Sequence, residues 1–499
     1  MKLTMLILMA LTLLSRFIGL GREMALAYFY GATRTSDAFL ISQSVPALFM
    51  SFVAAAIGAG FIPAYRQEER GGRQKLFSTQ VFFLTGVLSF VVFLSANLFL
   101  PFILSWLAAG FDEETMALTV QFTRISLWGV FFMGWTRYFF AWLQVQERVI
   151  LASLVGIPFN AAIIGAIILS VSHSLWVLAA GGVVAAAARC LYLFWLAQRK
   201  GHGFEFGQKT KEELRRMLFL AVPAMIGDSA QQLDIVVDKA LASHFGIGSV
   251  SALAYAGRAM TAVEGIFITS VLTVFYPAVA RMAALKDIDG VKRELGEAVV
   301  GVCFFLVPAV FGIMALAQPL VSLLFMRGAF GYEEARTTAA LMFFYIAALL
   351  GTGLQTLFSR VFLSIGNSRV PMVVALIGVA MNIGLNLILA RFIGLPGLAL
   401  SNAVSAFVGL WLMVWWLKRT IGPLNLKRSI GALAKIIGAS GLMALMAAAV
   451  YQILAAAPSL LALGIAVVSG GFLYLSLLLF LKVIDLKKIR QLLQQRRSI

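Results

Sequence analysis

The chain is 499 residues long, 61% hydrophobic and only 12% charged, with 40 Lys and Arg against 22 Asp and Glu for a net charge of +18. A soluble domain carries about 25% charged residues, so this composition, with a mean hydropathy of +0.93, excludes an ordinary water-soluble enzyme. Apolar runs of ~20 residues or more, in place of the short alternating segments of a barrel, predict an all-α polytopic membrane protein.

Fourteen transmembrane helices are predicted, at about 3–31, 37–64, 77–108, 117–145, 149–172, 175–198, 217–245, 250–280, 294–326, 336–365, 370–391, 396–417, 431–454 and 459–482. Several exceed the length a bilayer needs, which implies tilt or extension beyond it. The first run carries Arg16, Arg22 and Glu23 and has no small-residue cleavage site, so it reads as the first span and not as a signal peptide. With the N-terminus in the cytoplasm, 28 basic residues fall on the inside and four, Arg34, Arg327, Arg336 and Arg391, on the outside. That asymmetry puts both termini in the cytoplasm. The positive charge therefore reports topology, and nucleic acid is not an expected partner. Cys190 and Cys303 both lie inside apolar runs and build neither a disulfide nor a metal framework.

Eight basic residues remain at membrane depth: Arg16, Arg22, Arg124, Arg137, Arg189, Lys239, Arg258 and Arg360. The acidic residues there are Glu23, Asp228, Asp234, Asp238 and Glu264, with Asp37 at a span edge. An ionisable group at that depth faces a wet cavity or a partner, and a positive excess attracts an anion. Arg16 and Arg22 lie ~9 Å apart along a helix, which lets two guanidinium forks meet two phosphates of one ligand. The alternative is that they pair with Glu23 and Asp37 to hold two helices together. For Arg189 and Arg360, near cytoplasmic ends, the alternative is snorkelling to the headgroups.

Two segment pairs repeat at nearly one offset. ALAYFYGATRTSDAF at 25–39 matches ALASHFGIGSVSALA at 240–254, and VAAAIGAGFIPAYRQ at 53–67 matches ITSVLTVFYPAVARM at 268–282, aligning Pro63 with Pro277. The offset spans six helices, so the halves share an orientation, related by a pseudo-twofold along the membrane normal. The expected domains are a six-helix lobe at 1–200, a second at 201–419, and two further helices with a basic tail at 420–499. Lobes so related flank a central cavity, as in alternating access.

The first hairpin, SRFIGLGREMALAYFYGATRTSDAF, with VP at 45–46 and GAGFIPAY at 58–65, resembles the opening of the MurJ/MviN family of lipid II flippases, in the multidrug/oligosaccharidyl-lipid/polysaccharide exporter superfamily. YAGR at 255–258 resembles that family's YADR-type motif and FMRGAFG at 325–331 its RGAF loop. The resemblance implies that Arg16, Arg22, Asp37 and Arg258 act on the substrate, with Glu23, Glu264 and Arg137 added from their position among the embedded charges. The family carries a basic pair and then a glutamate after its Val-Pro, where this chain has Met50, Ser51 and Ala55, and an acidic residue where this chain has Thr261. The resemblance thus implies a flippase for a polyprenyl-pyrophosphate-linked saccharide, lipid II or another such unit of capsule, exopolysaccharide or O-antigen, with membrane lipids and cell-wall synthesis proteins as its other partners.

No cofactor is expected beyond coupling by a sodium ion, a proton or the membrane potential. Asp234 and Asp238, with Asn382, Asn386 and Asn402, supply the oxygen ligands a hard cation takes, and the spacing of Asn382 and Asn386 resembles a sodium site in some relatives. The alternative is that Asp238 pairs with Lys239 and the asparagines bridge helices. Catalysis is not expected. His173, His202 and His244 make no metal spacing, and neither a GxSxG elbow nor a P-loop occurs. A drug/cation antiporter or a membrane-embedded glycosyltransferase or ligase are the lesser alternatives.

Overall fold

The computed structural model describes residues 2–207, 211–424, 427–454 and 456–483; the side chains of some residues within these ranges, among them Asp228, and the basic tail beyond 483 lie outside the described residues. The first half contains α1 (Lys2–Tyr30), α2 (Arg34–Ser42), α3 (Ser44–Arg70), α4 (Gln74–Leu98), α5 (Leu100–Leu107), α6 (Glu113–Ser126), α7 (Gly129–Val145), α8 (Val149–Ser153), α9 (Gly156–Ser172) and α10 (Leu175–Arg199). The second contains α11 (Lys211–Ala242), α12 (Ser249–Ala284), α13 (Ile288–Ala315), α14 (Ala317–Phe325), α15 (Tyr332–Ser364), α16 (Arg369–Ile393), α17 (Pro396–Ile421), α18 (Lys427–Ile453) and α19 (Ser459–Phe480). No strand occurs among the described residues.

Each apolar stretch read from the sequence is helical, but five of them are broken, into α2–α3, α4–α5, α6–α7, α8–α9 and α13–α14. Among the described residues ten helical segments are long and apolar enough to cross a membrane, or eleven with the α6–α7 pair, which bends by 44°. The two prolines aligned by the repeat, Pro63 and Pro277, both sit inside helices, α3 and α12, where each removes one backbone donor. The apolar side chains on the outside are large and open: Phe392 and Phe480 are each 82% exposed and Phe219 78%. Such faces suit hydrocarbon and not water.

The chain forms two compact units. One comprises the described parts of Met1–Gly265 with Phe325–Leu341 and Met372–Ser401; the other those of Ile266–Leu324, Met342–Pro371 and Asn402–Ile499. Inside the first, α3 packs against α7 and α11, and Phe61, Phe77 and Tyr138 are fully buried there. Association in lipid draws on close packing and polar satisfaction more than on water release, and the buried Tyr138 hydroxyl is satisfied twice, by Ser78 Oγ at 2.7 Å and His202 Nε2 at 2.9 Å. His202 comes from the segment after α10 and sits edge-on to Phe139, Trp142 and Phe204, plugging that segment into the ends of the helices. Inside the second unit, Leu316, Ala447 and Leu463 form a core for α13, α18 and α19, and the Tyr474 hydroxyl donates to the Phe304 carbonyl at 2.7 Å.

Candidate functional site

The embedded charges of α1 are organised by Glu23. Its buried carboxylate accepts from Arg22 Nη2 at 2.5 Å and from Arg258 Nε, on α12, at 3.2 Å. One carboxylate thus holds two guanidiniums, yet the two are differently presented: the Arg22 side chain is 14% exposed and that of Arg258 54%. A guanidinium has five donors, and the terminal nitrogens of Arg258 have no hydrogen-bond partner among the described residues. Lys239 of α11 lies within electrostatic reach of all three and donates to the Leu40 carbonyl at 3.1 Å and to Ser44 Oγ at 2.8 Å. It tethers α11 to the α2–α3 break beside this cluster.

Arg16 also reaches α12, donating from Nη1 to the Thr261 carbonyl. The position where the family carries an acidic side chain thus contributes its backbone oxygen. Arg16 lies within electrostatic reach of Glu264, and its side chain fills the space above Gly265, where a Cβ would fall 2.4 Å from Arg16 Cδ. α12 accordingly collects both Arg16 and Glu23 onto one helix.

Asp37 has a different setting from the other charges. It is buried, and its carboxylate accepts from the backbone amides of Gly248 and Ser251, both at 2.7 Å, and from Ser251 Oγ. Those amides are the open N-terminal donors of α12, and a carboxylate there also complements the helix dipole. Nearby, α1 ends at Gly31 with φ of 61°, where a Cβ would meet the Ala329 carbonyl at 2.5 Å. The Ala329 amide donates to the Tyr28 carbonyl at 2.8 Å, and the Tyr255 hydroxyl to the Gly31 carbonyl at 3.0 Å. The loop resembling RGAF is therefore latched to the first hairpin, with the Tyr255 ring stacked on Phe325 at 5.4 Å.

Arg137 is exposed on α7, within electrostatic reach of Arg189 on α10. The Arg189 guanidinium lies over Phe159, 5.5 Å from the ring centroid, and Arg22 over the same ring at 5.9 Å. Met50 and Ala55 are buried, and Ser51 Oγ donates to the Leu48 carbonyl at 2.6 Å and to Ser229 Oγ at 3.3 Å. These three positions make packing contacts.

Asp234 and Asp238 of α11 meet two asparagines of α16. Asn382 Nδ2 donates to Asp234 Oδ1 at 2.8 Å and Asp238 Oδ1 at 3.3 Å, and Asn386 Nδ2 to Asp238 Oδ1 at 2.7 Å. Both amide oxygens, Asn382 Oδ1 and Asn386 Oδ1, are buried without a hydrogen-bond partner. Two carboxylates beside two unsatisfied amide oxygens fit a small hard cation. Asn402, on α17, belongs to the other compact unit.

The structure thus joins Arg22, Glu23 and Arg258 directly, sets Arg16 and Glu264 beside them along α12, and gives Asp37 and Arg137 separate neighbourhoods. Sequence reasoning missed the roles of Lys239 and Phe159; only the membrane depth of Lys239 signalled it.

An all-helical, multi-pass membrane fold with an ion-paired arginine cluster on its long apolar helices defines the class, a membrane transporter. The family model described as lipid II flippase MurJ matches residues 26–487, and the chain belongs to that family. It is 26% identical over 426 residues to a probable lipid II flippase MurJ of Rickettsia prowazekii, covering 82% of each chain. Its fold is similar to that of a lipid II flippase MurJ solved in an inward closed conformation, with a TM-score of 0.83 at 23% identity over 96% of this chain and 99% of that one. An inward-facing multidrug transporter of the MATE family also matches, with a TM-score of 0.71 at 14% identity over 85% and 99% of the two chains.

Proposed function

We propose that the protein moves lipid II from the inner to the outer leaflet of the bacterial cytoplasmic membrane by alternating access of two six-helix lobes, with both termini in the cytoplasm. Arg16, Arg22 and Arg258 receive the diphosphate, while the sugar occupies the wet lumen and the polyprenyl tail remains in lipid. The observation that carries this reading is Glu23 gripping Arg22 and Arg258 at once. A shared buried carboxylate preorients two forks while neutralising one of their two charges, so an incoming diphosphate meets donors already aimed and a remaining positive charge. Arg16, held by a neutral carbonyl, adds a third. Asp37 acts through α12, by fixing the helix that carries Arg258. Glu264 balances Arg16.

Coupling to a cation is part of the same proposal. Asp234, Asp238, Asn382 and Asn386 would hold a sodium ion through oxygen, and such an ion at membrane depth supplies charge compensation for the two carboxylates. Membrane lipids are the surrounding partner. The second reading is another polyprenyl-pyrophosphate-linked glycan, favoured by the packed Met50, Ser51 and Ala55 where the family carries charge.

The test is complementation of a conditional lipid II flippase depletion with wild type, Arg22→Ala and Arg258→Ala, each checked for insertion. Rescue by wild type alone supports the proposal. Failure of a well-inserted wild type moves the cargo to another lipid-linked glycan, and rescue by both arginine variants removes the clamp.

A further inference from the structure

Two embedded arginines lie outside the Glu23 cluster yet adjoin it. Arg189 and Arg137 come from the packed helices α10 and α7, and the two charges lie within electrostatic reach of each other. Neither forms an ion pair or a side-chain hydrogen bond among the described residues. Arg189 Nε is buried with no hydrogen-bond partner at all. Among the described residues the Phe159 ring lies against its guanidinium, and a cation–π contact does not satisfy the buried Nε–H.

Snorkelling does not account for that buried Nε, since a guanidinium drawn out to the headgroups satisfies its donors in water. Two like charges held together at membrane depth without a carboxylate are costly, and an anion is the partner that relieves them. The diphosphate has its own donors in Arg16, Arg22 and Arg258. Phe159 joins the two groups and spaces them, with Arg22 and Arg189 each within 6 Å of its centroid, at 5.9 and 5.5 Å.

We propose that Arg137 and Arg189 form a second anion-binding point that takes a carboxylate of the peptide on the lipid-linked head group. This rests on the lipid II reading above. A carboxylate fits the planar fork bidentately, Arg137 is the exposed member that meets it first, and Arg189 supplies the preset donors behind it. The pair would then distinguish peptide-bearing lipid-linked saccharides from neutral ones of equal size, a specificity that the diphosphate clamp alone lacks.

The experiment measures equilibrium binding to the full chain in phosphatidylcholine nanodiscs. The probes are lipid II, lipid II with its peptide carboxylates amidated, and undecaprenyl pyrophosphate. Wild type is expected to bind the amidated lipid about tenfold more weakly than lipid II, the worth of one charge-assisted contact. R137Q and R189Q are expected to lose about that factor for lipid II, to bind undecaprenyl pyrophosphate as wild type does, and to ignore amidation. Because the amidation arm uses wild type, a misfolded variant does not blunt it. Equal binding of free and amidated lipid by wild type overturns the proposal, as does an equal loss of undecaprenyl pyrophosphate in the variants. A wild type that binds undecaprenyl pyrophosphate but not lipid II overturns the lipid II reading itself.

Discussion

Asp37 and Ser251 are 214 residues apart, yet the carboxylate of one accepts both the backbone amide, at 2.7 Å, and the hydroxyl of the other. The contact joins the start of the first repeat's second helix to the start of α12. It sits one helix end away from the latch in which Tyr255 reaches Gly31 at 3.0 Å and Ala329 reaches Tyr28 at 2.8 Å. α12 is therefore pinned at its N-terminus by α2 and further along by Glu23 and Arg16 of α1. The arginine cluster inherits its geometry from that pinning.

Asp37→Ala should consequently act on stability first. It strips two buried amides and a hydroxyl of their acceptor, at a cost of roughly 2–4 kcal/mol. Thermal unfolding in detergent should fall by several degrees, with Asp37→Asn intermediate because one carbonyl oxygen remains. An unchanged melting temperature in Asp37→Ala would show that the cap is dispensable and that the residue acts elsewhere.

Glu23 and Arg258 should separate stability from transport. Removing the carboxylate in Glu23→Gln leaves two guanidiniums facing each other, and breaking a buried ion pair costs about 3–5 kcal/mol. Arg258 is more than half exposed, at 54%, so Arg258→Gln should cost under about 1 kcal/mol while abolishing complementation. Melting curves for the two variants, read beside complementation, check this. Equal destabilisation by both would mean that Arg258 serves packing.

Some of this was legible in the sequence, and the rest was hidden for identifiable reasons. The ~20-residue apolar runs gave away the helices, and the four-residue spacing of Asn382 and Asn386 puts both amides on one face of α16, where both donate to Asp238. The breaks at Phe99 and Leu316 fall within apolar sequence, so hydropathy passes over them. Lys239 satisfies its ammonium partly on the Leu40 carbonyl, and a backbone acceptor has no sequence signature. Its neighbour Asp238 suggested a simple pair, and the carboxylate of Asp238 also accepts from Asn382 and Asn386 of α16. For Asp37, the match of 25–39 to 240–254 flagged both partners without saying that they touch.

A cation bound by Asp234, Asp238, Asn382 and Asn386 should stabilise the fold by mass action. At a hundred times its dissociation constant it would add about 2.7 kcal/mol. The melting temperature should therefore be higher in sodium chloride than in equimolar choline chloride for wild type, and the difference should vanish in Asp238→Asn and Asn386→Ala. A salt-independent wild type removes the sodium proposal and leaves the arginine cluster untouched.

His202 should make stability fall in mild acid. Burial pushes its pKa down from about 6.5 to about 4, so the folded protein holds it neutral over a range where the unfolded chain takes up a proton. Its contribution is complete above pH 6.5 and is progressively lost as pH falls toward 4, by about 3 kcal/mol in all. Melting temperatures at pH 7.5 and 5.0 should differ more for wild type than for His202→Phe, which keeps the ring among Phe139, Trp142 and Phe204 without a titrating group. Parallel pH dependence in the two proteins would contradict this origin.

Gly265 gives a way to displace Arg16 without mutating it. A Cβ at position 265 would lie 2.4 Å from Arg16 Cδ, 2.6 Å from Nε and 2.7 Å from Cζ, so Gly265→Ala must move that side chain off the Thr261 carbonyl. The obstacle is a flexible side chain and not backbone, so the protein can yield, and alanine in place of glycine within a helix favours folding by up to about 1 kcal/mol. Gly265→Ala should therefore melt at or near the wild-type temperature yet fail to complement, matching Arg16→Ala. Full complementation by Gly265→Ala with a normal melting temperature would mean that the position of the Arg16 guanidinium in this structure is not the one that transport requires. A large drop in melting temperature would instead place Gly265 in helix packing. Glu264 provides the internal control, because Glu264→Gln leaves that space unfilled and should spare the Arg16–Thr261 contact.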